Sequence, residues 1–290
     1  MSTPPILRTL TVLRAATRNW HMSGETIGVV PTMGALHDGH LSLVARAKDA
    51  CDRVIVTIFV NPKQFNQTSD LDNYPRTEEE DARKLARFDV DAVYVPDVSQ
   101  IYPEGFCTNV SVTGMTDVLC GAHRPGHFDG VATVVTKLFT QTAADKAFFG
   151  EKDFQQLMVV QRMAADLDIP IEVVGCPTIR EDDGLAMSSR NLLLSDRARV
   201  NAPRLNEIMD ETAEKLGQGA AFSALQADAI SKLEAAGFTG VDYFEVRSCA
   251  TLQALDYVTE PARLFAAAWL AGVRLIDNID VPSVGSDHSG

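Results

Sequence analysis

Thr26-Ile27-Gly28-Val29-Val30-Pro31-Thr32-Met33-Gly34-Ala35-Leu36-His37-Asp38-Gly39-His40 is the stretch on which the reading of the whole chain turns. Its first five residues form an apolar, largely β-branched run that reads as a buried strand. From His40 to Cys51 the spacing predicts a helix, with Leu41, Val44, Ala45 and Lys48 at helical intervals. Strand, short polar loop and helix open a βαβ unit, and the unit repeats downstream. Arg53 to Val60 (RVIVTIFV), Val90 to Val95, Asp145 to Phe149 and Ile169 to Val174 read as further strands. Helices are expected from Thr77, whose hydroxyl has capping-box spacing to Glu80, from Asp129 to Thr142, and from Phe154 to Leu167.

Repeated strand–helix–strand units predict an α/β domain over residues 1–183, a doubly wound parallel sheet of Rossmann-like type. Ligands of such sheets bind outside the carboxyl ends of the strands, so function belongs in the polar segments that follow them. After Asp183 the pattern changes. Ser195 to Leu216 and Phe222 to Ala236 read as helices, broken at Gly217 to Gly219. Val241 to Val246 and Phe265 to Ile276 read as strand-like runs, which gives a smaller α+β domain over 184–290. The tail Gly285 to Gly290 is expected to be disordered.

Composition narrows the function. The 290 residues carry 26 Lys and Arg against 39 Asp and Glu, a net charge of −13. Affinity for nucleic acid comes mostly from cationic side chains that release counterions, so this balance opposes DNA or RNA as partner. A compact phosphate compound remains open, because a helix N-terminus or a local basic pocket can bind one on an acidic protein. The cysteines Cys51, Cys107, Cys120, Cys176 and Cys249 are scattered and form no CxxC pair, which suits neither a disulfide framework nor a thiolate zinc site. Met1 to Trp20 lacks the apolar core of a signal peptide, and the apolar run Leu264 to Val273 is about half the roughly 20 residues of a membrane helix. A reducing, cytoplasmic setting without membrane contact is expected.

Five segments carry chemistry. In the first, His37 and His40 are three apart and share a helix face, while Gly34 and Gly39 let backbone amides approach phosphate. Imidazoles there can donate to a phosphoryl group as it gains charge; a solvated turn or a metal pair are the alternatives, the latter without further ligands nearby. In Asn61-Pro62-Lys63-Gln64-Phe65, Gln64 offers donor and acceptor to a hydroxylated acid. Tyr74-Pro75-Arg76 follows, with Tyr74 either touching ligand or packing at the rim. In His123-Arg124-Pro125-Gly126-His127, Arg124 could offset pyrophosphate charge or be an exposed structural arginine, and His127 supports the turn. Gly150-Glu151-Lys152-Asp153 supplies a close backbone approach, a point charge for phosphate and a carboxylate for a ribose hydroxyl, and Gln156 lies one helical turn on. Last, Ile179-Arg180 and Met187-Ser188-Ser189-Arg190 set two hydroxyls and a guanidinium in a loop that can wrap a triphosphate.

The HxGH pattern resembles the signature of the nucleotidyltransferase superfamily that includes class I aminoacyl-tRNA synthetases. The longer string PTMGALHDGH, with NPKQF, RPGHFDGV, GEKDFQQL and MSSR in order, resembles the pantoate–β-alanine ligase family from Gly28 to Asn191. That resemblance implies an AMP-forming ligase of pantothenate and coenzyme A biosynthesis. It would condense (R)-pantoate with β-alanine through a pantoyl adenylate and release AMP and pyrophosphate.

The resemblance carries over His37, His40, Lys152 and Arg190 as catalytic residues. It assigns Met33, Gly34, Ala35, Leu36, His37, Asp38, Gly39, His40, Gly150, Glu151, Lys152, Asp153, Ile179 (through its backbone), Met187, Ser188, Ser189 and Arg190 to ATP. Asn61, Gln64, Tyr74, Arg124 and Gln156 fall to pantoate or β-alanine. ATP would enter as a substrate with Mg²⁺, with no protein ligands assigned to the metal and no prosthetic group. A homodimer through the larger domain and a C-terminal domain acting as a lid are also implied. Another nucleotidyltransferase would share HxGH but lack NPKQF and Gln156. A non-catalytic nucleotide sensor would have no need of both histidines, Lys152 and Arg190 together, and short length and acidity disfavour a full tRNA synthetase.

Overall fold

The structure, a computed structural model, describes residues 3–65, 71 and 74–282, and the tail Gly285 to Gly290 lies outside the described residues. The chain divides into two compact units, Met1–Asp117 with Arg124–Thr178, and Val118–His123 with Ile179–Gly290.

The first unit is a six-stranded parallel sheet with helices. Its strands are β1 (Ile6–Leu7), β2 (Ile27–Thr32), β3 (Arg53–Ile58), β4 (Ala92–Tyr94), β5 (Lys146–Gly150) and β6 (Glu172–Cys176), in the order β1-β4-β3-β2-β5-β6. Its longer helices are α1 (Leu10–Met22), α2 (Asp38–Ala50), α3 (Glu78–Leu85), α4 (His127–Thr142) and α5 (Phe154–Asp166). Val30, Val54, Val56 and Phe148 pack with Leu43, Val44 and Ala47 of α2 on one face. The alternate residues Ile27, Val29 and Ile55 are equally buried and point to the other face, where α1 and α4 pack against β2. From β2 the chain builds outward to β3 and β4, then returns to lay β5 on the opposite side of β2. The order therefore reverses between β2 and β5, the switch point at which open parallel sheets bind ligands.

The second unit is a small antiparallel sheet of β7 (Phe238–Ser248), β8 (Ala262–Leu270) and β9 (Val273–Val281). Helices α6 (Asp196–Asn201), α7 (Arg204–Gly217) and α8 (Phe222–Ala235) belong to it, and Leu205, Ile208, Leu216, Leu233, Phe244 and Leu264 form its core.

Several local expectations are corrected. The segment expected as one helix from Ser195 to Leu216 is two, because Pro203 has no N–H to continue the ladder and the first helix ends at Asn201. Phe265 to Ile276 is not one run: Ala271 (φ 50°) and Gly272 (φ 81°) turn it into the β8–β9 hairpin. The last strand of the parallel sheet lies at Glu172–Cys176, further along than Ile169 to Val174. Thr77 precedes α3 without a side-chain cap; its hydroxyl donates to Asp81 Oδ2 (3.1 Å), and Glu80 pairs with Lys84 instead. The edge strand β1 and helix α1 add to the elements expected from periodicity.

Candidate active site

The loop after β2 is set by its backbone. Thr32 donates its hydroxyl to the Thr57 carbonyl of β3 (2.7 Å), and the same oxygen accepts from the Gly34 amide (3.1 Å). Gly34 takes φ +86°, which strains any side chain, and a Cβ there would lie a tight 3.1 Å from Ile58 Cγ2 and 3.2 Å from Asp81 Oδ2, so glycine is favoured on both counts. Ala35 is also left-handed (φ 51°), an unfavourable conformation for a residue with a side chain. What holds it is Asp81, a fully buried carboxylate that accepts from the amides of Ala35 (2.9 Å) and Leu36 (2.8 Å). Lys84, one turn on, donates to the Leu36 carbonyl (2.7 Å).

That clamp delivers the two histidines to the start of α2. The His37 amide donates to His40 Nδ1 (3.4 Å), which places the neutral ring's proton on Nε2. The two rings lie 4.1 Å apart between centroids. Burial, then the neighbouring His37, lowers the His40 pKa to about 3, and burial followed by Lys152 lowers that of His37. Both rings are therefore neutral near pH 7 and act as hydrogen-bond donors rather than as cations. Asp38 is exposed and Gly39 half-buried in the first turn of α2, as Met33 is in the loop before it.

Across the switch point, β5 ends at Gly150, and Glu151, Lys152 and Asp153 form a single 3₁₀ turn before α5. Lys152 Nζ is 3.9 Å from Asp153 Oδ2, and both charges act on the two imidazoles. Among the described residues, a Cβ at Gly150 would meet nothing within 4 Å, so packing of the protein itself does not demand glycine there. Gln156 is half-buried in the first turn of α5.

Gln64 ties the remaining segments of this unit together. Its Nε2 lies 3.0 Å from Met33 Sδ, and its Oε1 accepts from Asn61 Nδ2 (3.1 Å). Its backbone carbonyl accepts from His127 Nδ1 (2.9 Å) and Arg124 Nη2 (3.3 Å), while Arg124 Nη1 meets His127 Nε2 (3.2 Å). Arg124 and His127 thus fix the turn that carries Gln64. Tyr74 packs edge-on against Phe65, ring centroids 5.8 Å apart. Helix α4 comes so close that a Cβ at Gly130 would overlap the Lys63 carbonyl, 2.6 Å from its carbon, so only glycine fits.

In the second unit, the Met187 amide donates to the Ile179 carbonyl (3.0 Å), Ser188 caps the turn Ser189–Leu193, and Arg190 is exposed. Arg180, by contrast, is bidentate on the buried Asp277 (2.6 and 3.0 Å) and anchors the base of the loop. Arg199 adds ion pairs to Glu181 (2.5 Å) and Asp183 (2.6 Å). Among the described residues, no group of three or more His, Cys, Asp or Glu side chains is placed to hold a metal ion.

Two participants lie outside the sequence motifs, Asp81 and Tyr102, whose hydroxyl reaches Asn61 Oδ1 (2.7 Å); Gly130 stands inside RPGHFDGV, where nothing in the sequence assigns it a role. For Asp81 the sole hint is its place beside Ala82 and Leu85 on the inward face of α3.

Fold and loops together define an α/β enzyme of the open parallel-sheet type, with its polar groups gathered at the carboxyl ends of β2, β3 and β5. The chain belongs to the pantoate–β-alanine ligase family, whose model matches residues 5–280. A pantothenate synthetase of Roseobacter denitrificans is 84% identical, over 97% of this chain and 99% of the relative. One from Ruegeria pomeroyi is 66% identical, over 96% and 97%. Among solved structures, a pantothenate synthetase of Thermus thermophilus is 44% identical with a TM-score of 0.87, covering 96% of this chain and 99% of that one. The pantoate–β-alanine ligase of Francisella tularensis, complexed with β,γ ATP and β-alanine, is 36% identical with a TM-score of 0.81, covering 96% and 97%.

Proposed function

We propose that this chain joins (R)-pantoate to β-alanine at the expense of ATP, in two steps. A pantoate carboxylate oxygen attacks the α-phosphorus of ATP; the bond to the bridging oxygen breaks and pyrophosphate leaves. The β-alanine amine then attacks the acyl carbon of pantoyl adenylate, loses a proton, and AMP leaves with the former carboxylate oxygen. The carrying observation is the pairing of neutral His37 and His40 with Lys152 at the sheet's switch point. Donors aimed at oxygens that gain charge lower such a barrier without a covalent nucleophile.

His40 Nε2–H and Lys152 stabilise the α-phosphate as it becomes five-coordinate, with His37 beside them. The loop from Met33 to Leu36, the start of α2 with Asp38 and Gly39, and the Gly150 turn with Glu151 line the nucleotide; the amides of Gly34, Ala35 and Leu36 are held by Thr32 and Asp81 and shape that loop rather than donate to phosphate. Asp153 takes a ribose hydroxyl. Gly150 is glycine because the ligand, rather than the protein, comes close. Gln64 and Gln156 grip pantoate; Asn61, Tyr74 and Arg124 support that side. Ile179, Met187, Ser188, Ser189 and Arg190 carry over from the family's second signature as ATP-binding residues. Mg²⁺ would enter with ATP and offset phosphate charge, and the resemblance assigns no residue of this chain to it. Holding reactants in line supplies about 7–11 kcal/mol of the barrier. The family resemblance also supports a homodimer, a lid role for the C-terminal domain (184–290) and a cytoplasmic setting; no helix among the described residues is long and apolar enough to cross a membrane.

Measuring AMP with each substrate left out in turn tests the reading. AMP should accumulate only when ATP, pantoate and β-alanine are all present, beyond one equivalent per site. Sustained AMP release with another acid or amine, and none with this pair, would overturn it.

A further inference from the structure

The amide of Gln64 has a fixed sense, and the protein's own backbone dictates it. The Lys63 amide can only donate, and it points to Asn61 Oδ1 (3.2 Å); the Gly130 carbonyl can only accept, and it faces Asn61 Nδ2 (3.0 Å). Oxygen and nitrogen of Asn61 are thereby assigned without ambiguity. Tyr102 Oη, 2.7 Å from Oδ1, must then be the donor of its pair, and Asn61 Nδ2 gives its second hydrogen to Gln64 Oε1 (3.1 Å). Both lone pairs of the Asn61 oxygen and both of its N–H groups are used inside the protein, in keeping with its 1% exposure. With Gln64 Oε1 held from behind, Nε2 is the group turned toward Met33 and the histidine loop, where among the described residues its acceptor is a thioether (3.0 Å). Thioethers accept weakly, so a substrate oxygen displaces that contact at little cost.

We propose that Asn61 and Tyr102 are positioning residues that hold Gln64 as a hydrogen-bond donor, so that this side of the site selects an acid for its oxygen acceptors and not for its hydroxyl hydrogens. The Tyr102 ring is locked in place by its neighbours. Phe106 packs on it (5.1 Å between centroids), Phe59 lies 6.3 Å away, and the Lys63 ammonium sits 4.9 Å from its centre. Burial raises its pKa, so the phenol keeps the proton that it donates. Asn61 therefore acts through Gln64 and does not touch the ligand. This rests on the proposed placement of Gln64 against pantoate.

A double-mutant cycle decides it, with pantoate KM, kcat and ATP affinity measured for Asn61→Ala, Gln64→Ala and the pair. Asn61→Ala should raise the pantoate KM strongly, and it should add nothing once Gln64 is already alanine. Tyr102→Phe, which keeps the ring, should raise the pantoate KM roughly three- to tenfold, the worth of one such hydrogen bond, with kcat and ATP affinity unchanged. Gln64→Glu, an acceptor in place of the donor, should bind pantoate more weakly than Gln64→Ala. Losses that multiply in the pair would make Asn61 an independent contact or a general support, and would overturn the inference alone. So would Gln64→Glu binding as well as Gln64→Ala. If Gln64→Ala leaves the pantoate KM unchanged, the placement of Gln64 fails, and the inference fails with it.

Discussion

At the scale of single residues, the site works by holding groups in one protonation state and one orientation. His40 is the clearest case. Its depressed pKa, about 3, means that the folded protein disfavours the imidazolium. An unfolded chain binds that proton from about pH 6.5 downward. Stability contributed by the neutral ring is therefore fully present above pH 6.5 and is lost as pH falls toward 3. Catalysis should follow the folded value. The pantoate-dependent adenylation rate should stay flat through pH 8 to 6, where an ordinary histidine titrates, and a loss with an apparent pKa near 6.5 would contradict the neutral-donor role. Asp81 is the complementary case. Asp81→Ala leaves the buried Leu36 amide unpaired, at about 1–3 kcal/mol, strips the half-buried Ala35 amide of its partner, and frees Ala35 from its left-handed turn. Thermal unfolding should show the loss of stability, and adenylation should fall at least tenfold as the histidines lose their support; unchanged adenylation would remove Asp81 from the machinery. The histidines, Lys152 and the glutamines are legible in sequence because their loops follow strongly apolar strands. Asp81 is not: in Glu78-Glu79-Glu80-Asp81 it reads as one more acid favouring a helix N-terminus, and only tertiary packing shows that it alone is buried.

At the scale of elements, the close approach of α4 to the Asn61–Gln64 turn matters most. Gly130→Ala would drive a methyl into the Lys63 carbonyl, 2.6 Å from its carbon and closer than such atoms tolerate, so helix and turn must separate. Overpacking of this kind costs about 1–3 kcal/mol. Displacement of the turn also breaks the Asn61–Gly130 hydrogen bond that fixes Gln64. The variant should raise the pantoate KM while ATP affinity holds; a wild-type pantoate KM would show that the contact is only packing. The strands of the parallel sheet from β2 on and the helices α2 to α5 follow from periodicity, whereas α1 (Leu10–Met22) does not, and neither does the role of Gly130, since nothing in HFDGV says what the glycine faces. Breaks are marked only where chemistry enforces them, and even there the marks are faint. Pro203 and the Ala271-Gly272 turn both carry local signals that the surrounding apolar residues mask. Two-residue β1 is too short for any periodic pattern, and its place is set by pairing with β4.

At the scale of the whole molecule, the proposed site would let an acidic chain of net charge −13 take a polyanionic nucleotide by gathering donors at the carboxyl ends of a parallel sheet. Each candidate loop follows an apolar strand, so the class of fold is legible in the sequence, and the candidate site is read from the segments that follow those strands. The second unit is legible as α+β and no more, because an antiparallel sheet covered by helices leaves no loop signature beyond MSSR. The proposed chemistry requires that a carboxylate be activated on the first unit's loops before any amine is needed. Exchange of labelled pyrophosphate into ATP, with pantoate present and β-alanine absent, tests this most directly. Rapid, pantoate-dependent exchange is the expected result; exchange that appears only when β-alanine is added would contradict it.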